Sequence, residues 1–523
     1  MTTTWIGLLP LLPLLSAMAI GGLHFFRVID GEAGEKTTAN IALAGIAASS
    51  LLALLLLLSQ PYTATPAFHS FGTWLKCGKF DIGLSLTSGG YPLALATLFA
   101  LLLLIATKFS VNYLHREAGF HRFFFILSLF AAAMLLLVLS ANAVFTFVGW
   151  ELAGVCSYLL IAYAYDRPTA SQNAVRVFVT NRIGDAGFML GIGLSLLWLE
   201  SADWQTIAEG AGELDRADAT LLALCFTLAA FAKSAQIPFT PWLARALEGP
   251  TPSSAIFYGG AMIHAGVFLL IQLQALLERA PVAMSVLVVI GALTAIYGYW
   301  VALSQTDIKS SQIHAASVQL GLMVVECGLG WWTLASWHLA SHAVVRCYLL
   351  LIAPAILHNT QARPVAPVSA HWAKTRRAFM ASLQRFWLEP FMDRLLVKPI
   401  KQLARDADYL EQRIIDPALG VPGPAIKAIS SLAQWEERKM GANLDSSEDR
   451  FAQGSGLAGK LAQWTAALSD WFEYHFILRG IGKNSIRWGR EIGRAANRFE
   501  QLLLRPRYLL LFVVIVLLVA LNR

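Results

Sequence analysis

The chain has 523 residues, 56% hydrophobic and 14% charged, with a mean hydropathy of +0.57, a balance that excludes a soluble domain of this length. Its net charge of +7 does not point to nucleic acid. The basic residues stand beside apolar segments and in one polar region near the C-terminus, where they read as anchors at a cytoplasmic membrane surface. Cys77, Cys156, Cys225, Cys327 and Cys347 show no C-x-x-C spacing, so neither a disulfide framework nor a metal site is expected.

In chain order, apolar windows predict spans near 4–27, 39–59, 91–112, 122–141, 143–165, 172–199, 219–243, 253–275, 282–304, 312–330, 332–357 and 507–521, which is about twelve helices. The first run lacks the basic n-region and cleavage site of a signal peptide and reads as the first span. The expected fold class is all-α, a polytopic membrane protein with one broken helix, because lipid-facing backbone must satisfy its hydrogen bonds within the helix and nothing here alternates like a barrel strand. Three regions follow: a transmembrane core over 1–357, a cytoplasmic-face region of amphipathic helices over 358–506, and a C-terminal transmembrane anchor over 507–523.

Arg27, Lys36, Arg116, Arg122, Arg167, Arg176, Arg245 and Lys309 fall on one side of these spans, whereas Lys76, Lys79, Arg216 and Arg279 fall on the other. The richer side is expected to be cytoplasmic, which leaves the N-terminus outside. In span seven Lys233 is followed by Pro238 and Pro241, each of which removes a backbone donor, so the helix is expected to break there and line a cavity. After His358, Phe391, Leu395, Leu396, Ile400 and Leu403 recur at helical spacing, and a second amphipathic run includes Trp464, Leu468, Trp471, Phe472 and Phe476, with Asn443 to Gly456 as a linker. Either run suits a lipid surface or a partner protein.

Several ionisable residues interrupt otherwise apolar spans: Glu151, Asp185, Lys233, His264, Glu326, His338 and His342, with Lys309 and Arg346 close by. A charge at mid-bilayer costs from about 3 to more than 10 kcal/mol, so this concentration suggests a polar path that moves protons. If Glu151 faces Lys233, the carboxylate holds the lysine protonated, and its withdrawal releases the proton. The alternative is a static pair that only fixes two helices. His338, His342 and Arg346 recur every four residues and form one stripe; neutral imidazoles suit a relay, whereas the arginine can act only as a fixed charge. Zinc is the rival reading of the histidine spacing, but no third ligand stands at a matching position. Asp185 is placed to pair with Arg182 three residues earlier, His264 and Glu326 could each be a satisfied interior group, and Lys309 could snorkel to the interface.

Gly149-Trp150-Glu151, Cys156 to Ile161, Asn181-Arg182-Ile183-Gly184-Asp185, Lys233 to Pro238, Glu248 to Pro252, Gln305 to Lys309, and His338-Leu339 with Ser341-His342-Ala343 together resemble the chain-5 or L-type antiporter-like subunit of respiratory complex I, kin to cation/proton antiporter subunits. Met392 to Pro399 and Ile415-Asp416 are similar to the start of that subunit's lateral helix. The resemblance implies that Glu151 and Lys233 are a switching pair and that His338 and His342 belong to a central hydrated axis. This chain departs from it at Tyr258, where the family has a histidine, at Arg346, where it has a lysine, and between His358 and the lateral region, where further helices are missing. The shortened form resembles the membrane subunit of a bacterial two-component complex that accumulates dissolved inorganic carbon. That implies an inner-membrane protein, driven by protons or Na+, whose partner is a large zinc-dependent, carbonic-anhydrase-like subunit converting CO2 to bicarbonate. A complex I or antiporter subunit is the alternative, and a structural membrane scaffold is the alternative of another class. No nucleotide loop, flavin motif or iron–sulfur cysteine cluster is present, so no cofactor is expected on this chain.

Overall fold

The computed structural model of the protein describes residues 2–59, 67–78, 80–305, 307–359, 375–411 and 415. The second amphipathic run, its linker and the 507–523 anchor lie outside the described residues. Met1–Lys398 form one compact unit and Pro399–Arg523 a second.

In the first unit, α1 (Leu8–Phe25) and α2 (Gly31–Leu58) are joined through Asp30, whose carboxylate accepts from Gly31 N and caps α2. A two-stranded antiparallel hairpin then intervenes, β1 (Phe68–Cys77) against β2 (Phe80–Thr87), paired from Phe68 with Thr87 to Cys77 with Phe80. It departs from the purely helical expectation: apolar and polar residues alternate only in short runs here, too weak a signal beside the long apolar spans. The hairpin lies outside the spans and is tied to the helices by Asn142, which donates from Nδ2 to Gly83 O at 2.8 Å.

Next come α3 (Gly90–Tyr113), α4 (Phe120–Leu139), α5 (Ala143–Ile161), α6 (Pro168–Leu199), the short α7 (Trp204–Gly210) and α8 (Arg216–Lys233). Asn142 caps α5 by accepting from Phe145 N at 2.8 Å, and Pro168 opens α6 at its first turn. α4 is nearly buried on all sides, against α1, α3 and α5. Lipid gives no hydrophobic drive for helices to associate, so close backbone contact at small residues does this work. A Cβ at Gly149 would lie 2.7 Å from Ala133 O and Leu137 N of α4.

α8 ends at Lys233, before either proline is reached. Gln236 N bonds to Phe231 O at 2.8 Å and Ala235 N to Ala232 O at 3.3 Å, while Ala235 takes φ +49°. This is a Schellman ending with alanine where glycine is usual. Pro241 opens the next short helix, α9 (Pro241–Arg245), and Trp242 reaches back with Nε1 to Ala232 O at 2.9 Å. The break is thus made by a capped helix end, with Pro238 in the following turn and Pro241 starting the next helix, neither kinking the first.

The following span is interrupted as well. It runs through α10 (Thr251–Ser254), a π-helical turn at Ala255–Gly260, a 3-10 turn at Met262–His264 and α11 (Ala265–Gln272), with Ala261 at φ −132°, ψ −66° between the turns. His264 therefore sits at a second break, where the sequence reading expected one continuous helix. A short α12 (Gln274–Arg279) leads to α13 (Pro281–Ser304), α14 (Ile308–Gly328) and α15 (Trp332–Asn359). α13 and α14 pack at glycines, a Cβ at Gly321 meeting Gly291 O at 2.5 Å.

Among the described residues, eight helical stretches are long and apolar enough to cross a membrane. α8, α14 and α15 are not among them; they carry Lys233, Glu326, His338 and His342, the polar residues that lower their hydropathy. After α15 the chain forms a helix at Arg376–Leu383, a left-handed turn at Arg385, Phe386 and Trp387 with φ of 50°, 53° and 51°, a helix at Leu388–Met392 and a π-helical turn at Asp393–Val397. The expected single amphipathic helix is thus several pieces. Met392 and Val397 face inward while Trp387, Phe391 and Leu395 are exposed. In the second unit, Leu403 and Tyr409 are exposed on the Lys398–Leu410 helix.

Ion pairs hold four of the eight loop cations expected together on one face of the first unit. Arg116 pairs with Glu32 at 2.9 Å and Arg167 with Glu248 at 3.5 Å, Arg176 reaches Glu389 and Asp393 at 3.1 and 2.7 Å, and Arg245 also holds Glu389. This basic face carries the Arg376–Val397 segment. The opposite face carries the β-hairpin.

Candidate functional site

Two buried polar clusters occupy the middle of the first unit. The first lies between α5, α6 and α8. Lys233 is 1% exposed. As the last residue of its helix it sits at the negative end of the helix dipole, and its Nζ donates to Trp150 O at 3.0 Å while lying 4.9 Å from the centre of the Trp150 ring. Backbone carbonyl, helix end and indole face together stabilise a buried cation.

The carboxylates of this cluster are held by Arg182. Its Nη1 bonds to Glu151 and its Nη2 lies 2.9 Å from Asp185 Oδ2, the pair expected from their three-residue spacing. Trp150 Nε1 donates to Asp185 Oδ1 at 2.7 Å, and the guanidinium lies 4.4 Å from the Phe178 ring centre. The direct Glu151–Lys233 pair of the sequence reading is replaced here: among the described residues no ion pair joins them. Arg182, one turn from Asp185 on α6, outcompetes the lysine because a planar fork reaches two carboxylates at once. Even so, a Cβ at Gly154 would lie 3.4 Å from Arg182 Nη2 and 3.5 Å from Lys233 Nζ. Two cations and two carboxylates thus share one small space with formal charges balanced. Exchange of a carboxylate between Arg182 and Lys233 would alter the lysine's hold on its proton without moving a helix.

The second cluster lies between α11, α14 and α15. His338 bonds through Nδ1 to Glu326 at 2.9 Å and through Nε2 to Gln319 Oε1 at 3.0 Å. One turn on, His342 Nδ1 meets His264 Nε2 at 2.8 Å, and the His338 and His342 ring centres are 6.2 Å apart. Arg346 donates from Nε to His342 Nε2 at 3.3 Å and from Nη1 to Gln312 O at 3.3 Å. The four-residue stripe is therefore a chain of contacts; its partner Gln319 was not singled out in the sequence because an uncharged amide gives no signal there, and Gln312 because it contributes only its backbone carbonyl.

The clusters meet through the residues next to their key members. Ser234, which follows Lys233, donates to the carbonyl of Ile263, which precedes His264, at 2.7 Å. Gly266 permits this approach: a Cβ there would lie 2.4 Å from Ser234 Oγ and from Ala230 O. Tyr258 is buried beside Trp242, ring centres 5.9 Å apart. Lys309 stands apart from both clusters, its Nζ bonded to Thr251 Oγ1 at 2.6 Å, so it is held rather than extended to an interface. Among the described residues no group of three or more His, Cys, Asp or Glu gathers as metal ligands do, and Cys156, Cys225, Cys327 and Cys347 are free thiols.

Residues 140–381 match the family described as NADH:quinone oxidoreductase/Mrp antiporter, transmembrane. The chain is 36% identical over 365 residues to NAD(P)H-quinone oxidoreductase chain 5 of Synechocystis sp., covering 68% of this chain and 53% of that one. It is 37% identical over 372 residues to NADH-quinone oxidoreductase subunit L of Rhodobacter capsulatus, covering 66% and 50%. It is also similar to a chain in the solved structure of the Mrp complex from Dietzia sp., with a TM-score of 0.60 and 26% identity over 68% of this chain and 38% of that chain. The chain spans about half the length of the relatives it matches. Both broken spans and both polar clusters fall within or beside the matched residues, and the chain is a multi-pass inner-membrane protein whose core belongs to the antiporter-like chain-5/L family of NADH:quinone oxidoreductase and Mrp membrane subunits.

Proposed function

We propose that this chain is a proton-conducting membrane subunit that couples a proton gradient to work done by a bound protein partner. The observation that carries this reading is the Ser234–Ile263 bond, which brings the chain next to Lys233 against the chain next to His264 and so supports reading the two buried polar clusters as one path. Charged and imidazole groups are retained inside a membrane at a cost of several kcal/mol, and a line of them with alternate partners is suited to moving protons. The chain-5 and subunit L relatives belong by name to quinone oxidoreductases and the structural relative to an Mrp complex, which supports a multi-subunit setting. The test is proton flux into vesicles holding the chain with its native partners. Lys233→Ala is expected to reduce flux by about ten-fold or more, and unchanged flux rejects the reading.

The finer part of the proposal is that the partner is a zinc-dependent, carbonic-anhydrase-like subunit and that the gradient energises uptake of CO2 as bicarbonate. Support comes from chain length between two elements. Only residues 360–375 separate α15 from the Arg376–Leu383 helix, fewer than the about 20 that a further span needs, in keeping with the shortened form that the sequence resembles. Cells lacking their own carbon uptake should grow in air with the parent chain and its partner and fail with Lys233→Ala. Purification of the chain with a quinone-reducing assembly instead would reject the carbon assignment and leave proton conduction standing.

A further inference from the structure

One buried titratable side chain takes no part in either cluster. His314 of α14 is 1% exposed, yet neither ring nitrogen has a hydrogen-bond partner. Facing it from α13 is Tyr297, 7% exposed, whose hydroxyl is likewise without a partner. The two ring centres are 6.3 Å apart. Orphaned buried polar groups cost about 1–3 kcal/mol each and are rare in folded proteins. Two of them placed edge to face, where Gly298 brings α13 within van der Waals reach of the His314 carbonyl, point to a site retained for something other than packing.

Its position says what that is. Gln312, two residues before His314, accepts Arg346 Nη1 at its carbonyl, and its side-chain Oε1 is also buried without a partner. On the other side, the Tyr297 ring lies 6.0 Å from that of Phe386, which also stacks on Trp300 at 5.9 Å. Phe386 is held there by the left-handed turn and by Ser382, whose hydroxyl meets Trp300 O at 2.6 Å and Ser304 Oγ at 2.8 Å. Arg385 adds a bond to Gln305 Oε1 at 3.3 Å. Two runs of contacts therefore meet on α14: His342, Arg346 and the Gln312 carbonyl on the axis side, and, from two residues further on, His314, Tyr297 and Phe386 toward the basic face. Arg346 cannot give up its proton, so a proton leaving the axis on this side needs a titratable group beyond it.

We propose that His314 and Tyr297 form a proton-transfer step between the His342–Arg346 end of the axis and the basic face, with Phe386 closing its mouth. It rests on the proton-conduction reading and names its route on that side. A proton carried past Arg346 by water is taken up at one ring nitrogen of His314 and is matched by loss of the proton from the other. The Tyr297 oxygen accepts that proton and releases its own toward the surface, so both side chains finish with the protons they began with. One water molecule or a rotation of either ring bridges their present separation.

The test uses the full chain with its native partners in membrane vesicles, with proton flux read by a pH-sensitive dye. His314→Ala is expected to lower flux about ten-fold, with an unchanged melting temperature. Imidazole added on the basic-face side should restore part of that flux, and more of it when Phe386→Ala is combined. Lys233→Ala should lower flux about ten-fold or more, without rescue by imidazole. Full flux in His314→Ala, or a loss that imidazole does not relieve in the folded protein, overturns the step. Normal flux in Lys233→Ala instead overturns proton conduction and this step with it. Should His314→Ala not accumulate, Tyr297→Phe decides: about three-fold loss or more is expected, and unchanged flux rejects the proposal.

Discussion

Arg346 donates from Nε to His342 Nε2 at 3.3 Å, and that one bond assigns the proton on the imidazole. A guanidinium has donors only, so Nε2 must be a bare acceptor and the ring carries its proton on Nδ1. That Nδ1–H then donates to His264 Nε2 at 2.8 Å. The stripe is thereby given a direction by its one member that cannot titrate.

Replacing Arg346 with leucine should leave His342 Nε2 unpaired and cost about 1–3 kcal/mol, read as a lowered melting temperature in detergent. It should also remove the fixed charge at this end of the histidine chain and raise passive proton leak in vesicles. A leak equal to that of the parent would show that Arg346 guards nothing.

The Arg182 fork holds both carboxylates of the first cluster, and all three side chains are largely buried. Arg182→Ala should therefore destabilise the protein by about 3 kcal/mol or more, because two buried carboxylates remain with Lys233 alone to balance them. Glu151→Gln should cost less, since the neutral amide still accepts a bond. Denaturation that ranks the two variants in the reverse order would contradict this account.

Ala235 holds the left-handed position of the α8 ending with 0% exposure. Glycine there relieves about 1–2 kcal/mol of backbone strain and loses about 0.8 kcal/mol of methyl burial, so Ala235→Gly should match the parent in stability. Ala235→Val should cost about 3 kcal/mol, as a β-branched residue is both strained at positive φ and too large for the site. Thermal melts of the pair separate a cap from a simple kink.

Gly149 and Gly154 lie on the same helix and should respond differently to alanine. At Gly149 the new Cβ would sit 2.7 Å from backbone atoms of α4, whereas at Gly154 it meets Arg182 Nη2 and Lys233 Nζ at 3.4 and 3.5 Å. Gly149→Ala should impair assembly, seen as reduced folded yield. Gly154→Ala should fold normally and act only on flux.

What the sequence determined by itself was the solvent and the cast of residues. Runs of about 20 apolar residues specify helices in lipid, because backbone there has no other partner, and ionisable residues inside such runs stand out against that background. Glu151, Asp185, Lys233, His264, His338 and His342 were legible for that reason, as was the Arg182–Asp185 pair, which needs only helical periodicity. Tertiary structure alone decided who bonds to whom. Arg182 rather than Lys233 took Glu151, since reach across helices depends on their packing; α8 stopped at Lys233, since its cap uses Trp242 from the next segment; and His264 met His342, since a second break ends at His264 and sets its direction. His314 and Tyr297 were silent in the sequence, because a lone histidine and a lone tyrosine in apolar helices gain meaning only when packing leaves them facing each other without other partners.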